Sequence, residues 1–587
     1  MNPDITLVMI VRDEEATLPR CLESVKGAVD EIVIVDTGSK DRTVETACRY
    51  TPGVYHYPWD GDFAAARNFA LARANGGWIL SLDADEELDP ASGDLRALTG
   101  NKDGYEAYFL PLYNRAQGDG SPGQYHYVLR FFRNGCGYRF QGSIHEQVVV
   151  AYPEKTGVAA GPLIRHHTGG GRERNRKRGR NLKLLQRAAG ELPAPFRQYY
   201  LGVEWLALGR PERALPCFEQ ALRQLTDAQL LFRLPALHHL LSCLTHLNRL
   251  DEAICLCLEE CRRYPFYSDV LFAGGLLLET KGEYAAAVKW FQEALQCGRP
   301  PALFYHLEGT ESFLSYFHLG HCYEQMGDHR QASGYYCRAL AINPDYIYPL
   351  YNLFLLTLVE KGAVGTFECF QRAGYLSGLK QSALLADLFF EAGYPGLAAA
   401  CLEAHGDSLS APLRQHPARF HLYAGRPEQA LLLFGRLAIA GGDPSSVTDE
   451  VVALILNRDF TAARSRALSL WRRPDGRSEA LAQLVLISLL ENGHSGLRPE
   501  KNREATVVRT VLTVVEYCLR ALSTADGETA RYRQLTERAV EWLTGLSPAS
   551  CAALRCYLLD RAGAAGKLAM LKFGPAGGFW PCPAGRP

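Results

Sequence analysis

The spacing of apolar residues changes character near Leu182, and that change constrains the fold more than any other feature. Upstream, short continuous apolar runs alternate with stretches of helical period; downstream, only the helical period persists. A run of five to seven apolar residues bounded by turn residues reads as a buried strand. Strands alternating with helices predict an α/β domain with a largely parallel sheet. Helical periodicity with no strands predicts hairpins that must stack to bury their apolar faces. At 587 residues the chain is too long for one ordinary domain. The pattern divides it into residues 1–185, 186–450 and 451–587, the last a helical region without clear register that ends in an irregular tail.

The first region can be followed run by run. Thr6-Leu-Val-Met-Ile-Val11 reads as a buried strand leading into Arg12-Asp-Glu-Glu15, whose acids suit a helix start. Glu31-Ile-Val-Ile-Val35 is a second strand, stopping at Asp36-Thr-Gly-Ser39, where Gly38 allows a tight turn and Ser39 caps a helix. Val44, Ala47 and Cys48 supply that helix with an apolar stripe. Val54 to Tyr57 makes a short third strand, Ala64 to Ala74 an alanine-rich helix, and Trp78-Ile-Leu-Ser-Leu82 a strand ending at Asp83-Ala-Asp85-Glu86-Glu87. In such sheets ligands collect beyond the carboxyl ends of the strands. Asp13, Asp36 and the Asp83/Asp85 pair all lie at such ends, so three acidic clusters are expected on one rim.

Composition narrows the partners. Lys plus Arg is 63 and Asp plus Glu is 64, for a net charge of -1, which removes the global electrostatic case for nucleic acid. The seventeen cysteines are scattered through apolar helical patterns without metal-site spacing, as expected of thiols in a reducing compartment. No leader-like segment opens the chain and no window reaches 18 apolar residues, so a cytoplasmic protein without a transmembrane segment is expected, with peripheral membrane contact left open.

Downstream, Gly202, Ala214, Phe218 and Ala221, then Ala253 and Pro265, then Gly275, Ala287, Phe291 and Ala294, then Gly320, Ala332, Tyr336, Ala339 and Pro344 fit the small/large pattern of tetratricopeptide hairpins. The step from Ala253 to Ala287 is the full 34-residue period, whereas those on either side are 39 and 45, implying insertions or longer helices. Tyr394 to Leu402 and Leu422 to Phe434 read as degenerate repeats, and Gly574 to Pro583 as the irregular tail.

Two carboxylates one residue apart, where a strand gives way to a turn, can both approach a hard divalent cation. Such an ion, Mg²⁺ or Mn²⁺, would neutralise charge developing on a diphosphate leaving group. By itself Asp83-Ala84-Asp85 is a weak signal, common in turns.

Met9-Ile-Val-Arg-Asp-Glu-Glu15, Leu22-Glu-Ser-Val25, Glu31-Ile-Val-Ile-Val-Asp-Thr-Gly-Ser39 with Asp41 and Thr43, and Leu82-Asp-Ala-Asp-Glu-Glu87 together resemble the family 2 inverting glycosyltransferases of the GT-A fold. The chain is similar to bacterial members that continue into tetratricopeptide repeats, a group that includes transferases acting on peptides. The matching motifs span roughly residues 5 to 185. The resemblance implies an α/β GT-A nucleotide-sugar-binding domain followed by an all-α tetratricopeptide-like superhelix. It implies donor contacts from Asp13, Glu14, Asp36, Arg67, Asn68 and Asp83, with Asp36 at the nucleoside base. Asp85 matches the principal metal carboxylate and Asp83 its partner, the cofactor being Mn²⁺ or Mg²⁺ and the donor a nucleotide sugar, a UDP-sugar first. Ile164-Arg-His-His167 looks like the segment that supplies a third, histidine ligand, with His166 in better register than His167.

Phe140-Gln-Gly-Ser-Ile-His-Glu-Gln147 resembles the acceptor-side motif, in which inversion needs a base to take the proton of the incoming nucleophile. Glu146 is the expected base, His145 its orienter or an alternate base, and Glu86 or Glu87 the remaining candidates. Arg172 to Arg180 holds six basic residues and one acid, suited to a solvated helix face, to phosphate or to an acceptor. The expected function is metal-dependent inverting transfer of a hexose to a peptide or protein held in the repeat groove. The alternatives are transfer to a cell-surface polysaccharide or lipid-linked acceptor, and a repeat scaffold whose transferase domain is vestigial. The array could also mediate a homodimer or brace the catalytic domain.

Overall fold

The computed structural model describes residues 4–100, 104–115, 122–149, 153–167, 178–179, 181–182, 185, 193–410, 413–439, 444–472, 476–501, 503–524 and 530–547. By compactness the chain divides into Met1–Tyr346 and Ile347–Pro587. The first unit therefore takes in both the strand-rich region and the four best-formed repeats. The division by compactness and the pattern boundaries at 185 and 450 describe different properties of the chain.

The sheet is built from β1 (Ile5–Val11), β2 (Glu31–Asp36), β3 (Val54–His56), β4 (Trp78–Ser81), β5 (Glu86–Asp89), β6 (Ala107–Arg115), β7 (Gln124–Arg133) and β11 (Leu163–His167) in the order β3-β2-β1-β4-β7-β6-β11-β5. β3, β2, β1 and β4 are parallel, joined by the expected helices α1 (Leu18–Ser24), α2 (Thr43–Cys48) and α3 (Phe63–Leu71). Beyond β4 the sheet becomes mixed: β7 runs antiparallel to both β4 and β6, and β11 is parallel to β6 but antiparallel to β5. The parallel half follows from the strand–helix rhythm, whereas the antiparallel half comes from strands that the apolar runs did not announce. A short β8 (Phe140–Gln141) and β9 (Gln147–Val148) form a separate two-stranded ribbon, and β10 (Thr156–Val158) pairs with β6.

Alternation along β1 explains the three layers. Leu7, Met9 and Val11 pack with Leu18, Cys21 and Leu22 of α1 and Ala47 of α2. Val8 faces the other side and packs with Ala64 and Ala70 of α3. Two sequence readings need correction here. Arg12 to Glu15 does not begin a helix, since α1 starts at Leu18; those residues instead bind the β2 turn. The stripe assigned to α2 is wrong in part: Val44 and Cys48 are exposed, and Thr43, Thr46 and Ala47 are buried.

The repeats pair as Ala194–Ala207 with Pro211–Gln224, Leu230–His246 with Leu250–Arg263, Ser268–Thr280 with Tyr284–Cys297, and Phe313–Gln325 with His329–Ile342. Their glycines sit where the paired helix presents an aromatic ring. A Cβ at Gly202 would lie 2.7 Å from Phe218, one at Gly275 2.6 Å from Phe291, and one at Gly320 2.6 Å from Tyr336. The absence of strand signals after Leu182 misses one element. His306–Leu307 forms β12 and pairs antiparallel with Tyr125 and Gln124 of β7, extending the sheet with a strand from the repeats. Glu308 secures it by accepting from Tyr113 Oη at 2.7 Å and Gly123 N at 3.1 Å.

The second unit is helical in its described residues, from Tyr348–Arg372, which kinks at Gly362 (φ 67°), to Ala530–Thr544. Its core joins Phe434, Val452, Leu486, Val511 and Leu535. Gly574 to Pro583 lies outside the described residues, as does most of the basic stretch, of which Arg178 and Gly179 are described. No described helix is long and apolar enough to cross a membrane.

Candidate active site

The loops after β1, β2 and β4 meet at one rim, as the topology requires. The first two are laced together. Asp13 adopts φ 55°, donates its N–H to Ser39 Oγ and accepts Lys40 N at 2.7 Å; Glu14 N donates to Thr43 Oγ1 at 2.7 Å. Buried Asp36 accepts from Gly38 N at 3.0 Å and Ser39 N at 3.1 Å, with His56 Nδ1 3.1 Å away. Its oxygens thus close the turn that Gly38, at φ 101°, makes possible. A cavity of about 960 Å³ opens beside these loops. Asp13, Glu14, Arg67, Asp83, Asp85, His145, Glu146 and His166 all line it, whereas Asp36 and Asn68 do not. Asn68 instead gives its amide to both backbone groups of Phe140, at 2.9 Å each, and so ties β8 to α3.

The two aspartates after β4 have different surroundings. Both oxygens of Asp83 are taken by guanidinium groups: Oδ1 by Arg67, and Oδ2 by Arg130 Nη2 at 2.7 Å. Burial alone would raise the Asp83 carboxyl; Arg67 and Arg130 override it and hold it well below the usual range. Asp85 meets no guanidinium among the described residues, and its Oδ2 lies 3.3 Å from His166 Nε2. His166 Nδ1 is 2.7 Å from Asn114 Oδ1. The Nδ1–H therefore donates to the amide oxygen and Nε2 faces Asp85, the arrangement of a histidine prepared to ligate through Nε2. His167, next along β11, goes to the other side of the strand's pleat and meets Glu87 Oε2 at 2.9 Å.

Arg67 is the hub. Asp62 caps α3 by accepting from Ala65 N, and one turn on, buried Arg67 reaches Asp83 through Nη2 and Glu146 Oε1 through Nε. Burial works against its charge, but Asp83 and Glu146 together keep it fully protonated. Glu146 thereby sits at the cavity wall with its carboxylate fixed. The other candidate bases are engaged elsewhere. Buried Glu86 accepts from Asp83 N at 2.9 Å and Arg130 Nη2 at 2.8 Å, and Glu87 holds His167. Arg130 was missed in the sequence together with its strand, since β7 is part-buried along most of its length and mixes aromatic, polar and charged residues. Asn114 carried no signal either.

Among the described residues, no three His, Cys, Asp or Glu side chains form a metal-holding group by themselves. Asp85 Oδ2 and His166 Nε2 nonetheless fit one edge of a cation's shell, because adjacent ligands of an octahedral ion at about 2.1 Å lie about 3 Å apart. Water and phosphate oxygens supply the remaining positions of such ions. Asp83 offers no unengaged oxygen in this arrangement.

Residues 6–141 match the family model described as glycosyl transferase family 2, and residues 314–346 match a tetratricopeptide repeat model. A TPR repeat-containing protein of Synechococcus elongatus is 40% identical over 198 residues, covering 31% of this chain and 46% of that protein. An uncharacterized glycosyltransferase of Rickettsia typhi is 35% identical over 118 residues, 20% of this chain and 40% of that protein. The lipopolysaccharide core biosynthesis glycosyltransferase LpsC of Rhizobium meliloti is 36% identical over 96 residues, 16% of this chain and 35% of its own length. The chain spans less than half the length of each of these relatives. The matched segment takes in the parallel strands, the loops that carry Asp13, Asp36, Asp83 and Asp85, and the strands from β5 to β8. The chain thus carries a family 2 glycosyltransferase domain joined to tetratricopeptide repeats.

Proposed function

We propose that this chain transfers a hexose, with inversion, from a nucleoside diphosphate sugar to a peptide or protein acceptor. The observation that supports it most is the convergence of Asp85 with His166 and of Glu146 with Arg67 around one cavity large enough for a nucleotide sugar. Asp85 and His166 would hold the divalent cation, Mn²⁺ better suited than Mg²⁺ to an imidazole ligand. Bound there, the cation would offset the charge left on the departing diphosphate. Asp83 serves the donor side indirectly, by holding Arg67 in place at the cavity wall while Arg130 braces Asp83 from β7. The acceptor nucleophile attacks the anomeric carbon, and its proton passes to Glu146. The bond to the diphosphate oxygen breaks, and its electron pair leaves with the nucleoside diphosphate. Arg67 keeps the Glu146 carboxylate in place for that transfer.

Incubating the full chain with Mn²⁺ and a panel of UDP-, GDP- and TDP-sugars, and following nucleoside diphosphate release, tests this reading. Asp85→Ala is expected to lose Mn²⁺-dependent donor binding, whereas Glu146→Gln keeps donor binding and loses turnover. A chain that binds and hydrolyses no donor rules the reading out. The peptide acceptor rests on the repeats, which commonly bind peptides in their concave groove. A saccharide or lipid-linked acceptor is the second reading, favoured by the relative named for lipopolysaccharide core biosynthesis. Retention of a defined peptide on the chain, competed by no glycan, favours the first.

A further inference from the structure

The first helix of the repeats, Ala194–Ala207, carries two side chains that the transfer chemistry described above does not use. Tyr200 and Glu204 are four residues apart and so share a helix face. That face meets the acceptor-side loop. The Tyr200 ring stacks on the His145 imidazole with centroids 3.9 Å apart and planes within 2°. Tyr200 Oη accepts from Gln147 Nε2 at 2.9 Å, so one tyrosine grips the loop on both sides of Glu146.

Glu204 is completely buried. It accepts from Arg178 Nη1 at 3.3 Å through Oε2 and from Asn181 Nδ2 at 3.2 Å through Oε1. The same Oε1 lies 3.7 Å from His145 Nε2, a buried atom that has no hydrogen-bond partner. A buried carboxylate is costly unless paired, so its placement beside the loop binds Arg178, Asn181 and the repeat helix into one structure.

The loop itself needs an external hold. His145 has φ 54°, a left-handed conformation that a side chain with a Cβ adopts at a cost. Such a conformation persists only where its surroundings over-determine it. Burial, reinforced by Arg178, pushes the His145 imidazole down to about 4, so the ring is neutral and serves as a flat plate against Tyr200. Glu146, the next residue, then points to Arg67.

We propose that Tyr200 and Glu204 are positioning residues of the active site: from the first repeat helix they hold the Ile144–Gln147 loop so that Glu146 stays against Arg67 and the cavity. On this proposal, which rests on the transferase reading above, the first repeat is part of the catalytic apparatus as well as of the array. Its removal would disable chemistry even with a donor bound.

The test compares the full-length wild type with Tyr200→Ala, Tyr200→Phe and Glu204→Gln in Mn²⁺. It reads hydrolysis of the panel donor that the wild type turns over, together with the Kd of that donor's nucleoside diphosphate. Tyr200→Ala should lower kcat about tenfold, the factor at the upper end of what an aromatic pair is worth, with Kd changed less than about twofold. Tyr200→Phe keeps the stack and should retain kcat within about threefold. Glu204→Gln keeps the shape but not the charge, and should fall between the two. Wild-type kcat in Tyr200→Ala overturns this proposal alone. So does a loss of nucleotide binding that parallels the loss of turnover and is not rescued by phenylalanine, because it would mark general damage. A wild type that turns over no donor overturns the transferase reading and this proposal together.

Discussion

Two buried arginines in the first unit make the same kinds of bonds and do different work. Arg67 bridges Asp83 and Glu146 in the sheet domain. Arg233, in the helix Leu230–His246, donates to Glu260 Oε1 at 2.6 Å, Tyr264 Oη at 2.9 Å and Leu222 O at 3.2 Å. Arg233 and Glu260 are closed off from solvent, while the carboxylates that Arg67 holds form part of a cavity wall. A buried ion pair therefore marks function only where one partner also faces space that a substrate can enter.

The largest effect that would sharpen this contrast is on turnover. Glu146→Gln is expected to lower kcat by about 10²–10⁴-fold, the range for loss of a general base, with donor Kd nearly unchanged; a loss of donor affinity instead would remove Glu146 from the base role. Next comes the stability of the closed pair. Arg233→Ala should destabilise the first unit by roughly 3–5 kcal/mol in denaturant unfolding, because it strands buried Glu260, and should leave donor Kd unaltered. Arg67→Ala should cost less stability, roughly 1–2 kcal/mol, because water in the cavity can reach the freed carboxylates, yet it should abolish donor turnover. If both substitutions cost the same stability and only Arg233→Ala spares activity, the cavity is not what separates them.

A third measurement uses pH. Burial opposes charge on His306, but the hydrogen bond from its Nδ1 to Asp269 and the Glu311 carboxylate 3.4 Å from its Nε2 raise it to about 9. Because this lies above the unfolded value of about 6.5, the stabilisation is complete below pH ~6.5 and lost as pH rises through ~9, with an upper limit of roughly 3 kcal/mol. Melting curves of the wild type and His306→Gln should therefore converge at alkaline pH; curves separated equally at pH 6 and pH 9.5 would refute the assignment. Because His306 lies in β12, the loosening should be felt where the repeats join the sheet. The smallest effect concerns packing: Gly275→Ala forces a methyl against Phe291 and should cost roughly 1–3 kcal/mol without changing donor Kd.

The parallel half of the sheet and the repeat hairpins were legible because each is written in a local period. β1, β2 and β4 are apolar runs, and Gly202, Gly275 and Gly320 recur with aromatic partners sixteen residues later. The antiparallel half was not legible. β7, Gln124–Arg133, is half-buried along most of its length and mixes aromatic, polar and charged residues, so no clean alternation marks it. β12 is two residues long, too short for any period.

By itself the sequence determined the two-part architecture and which loops carry acids to the sheet's rim, because strand and helix periods and strand ends are properties of neighbouring residues. The motif resemblance ranked Asp85 above Asp83, but only the tertiary structure gave a physical reason, since the arginines that occupy Asp83 come from α3 and β7. The motif register favoured His166 over His167, and the structure gives the two side chains different partners, Asp85 and Glu87. Tyr200 and Glu204 meet the catalytic loop from a helix some fifty residues away. Contacts between distant segments leave no periodic trace in the chain, and the chemistry of this rim depends on them.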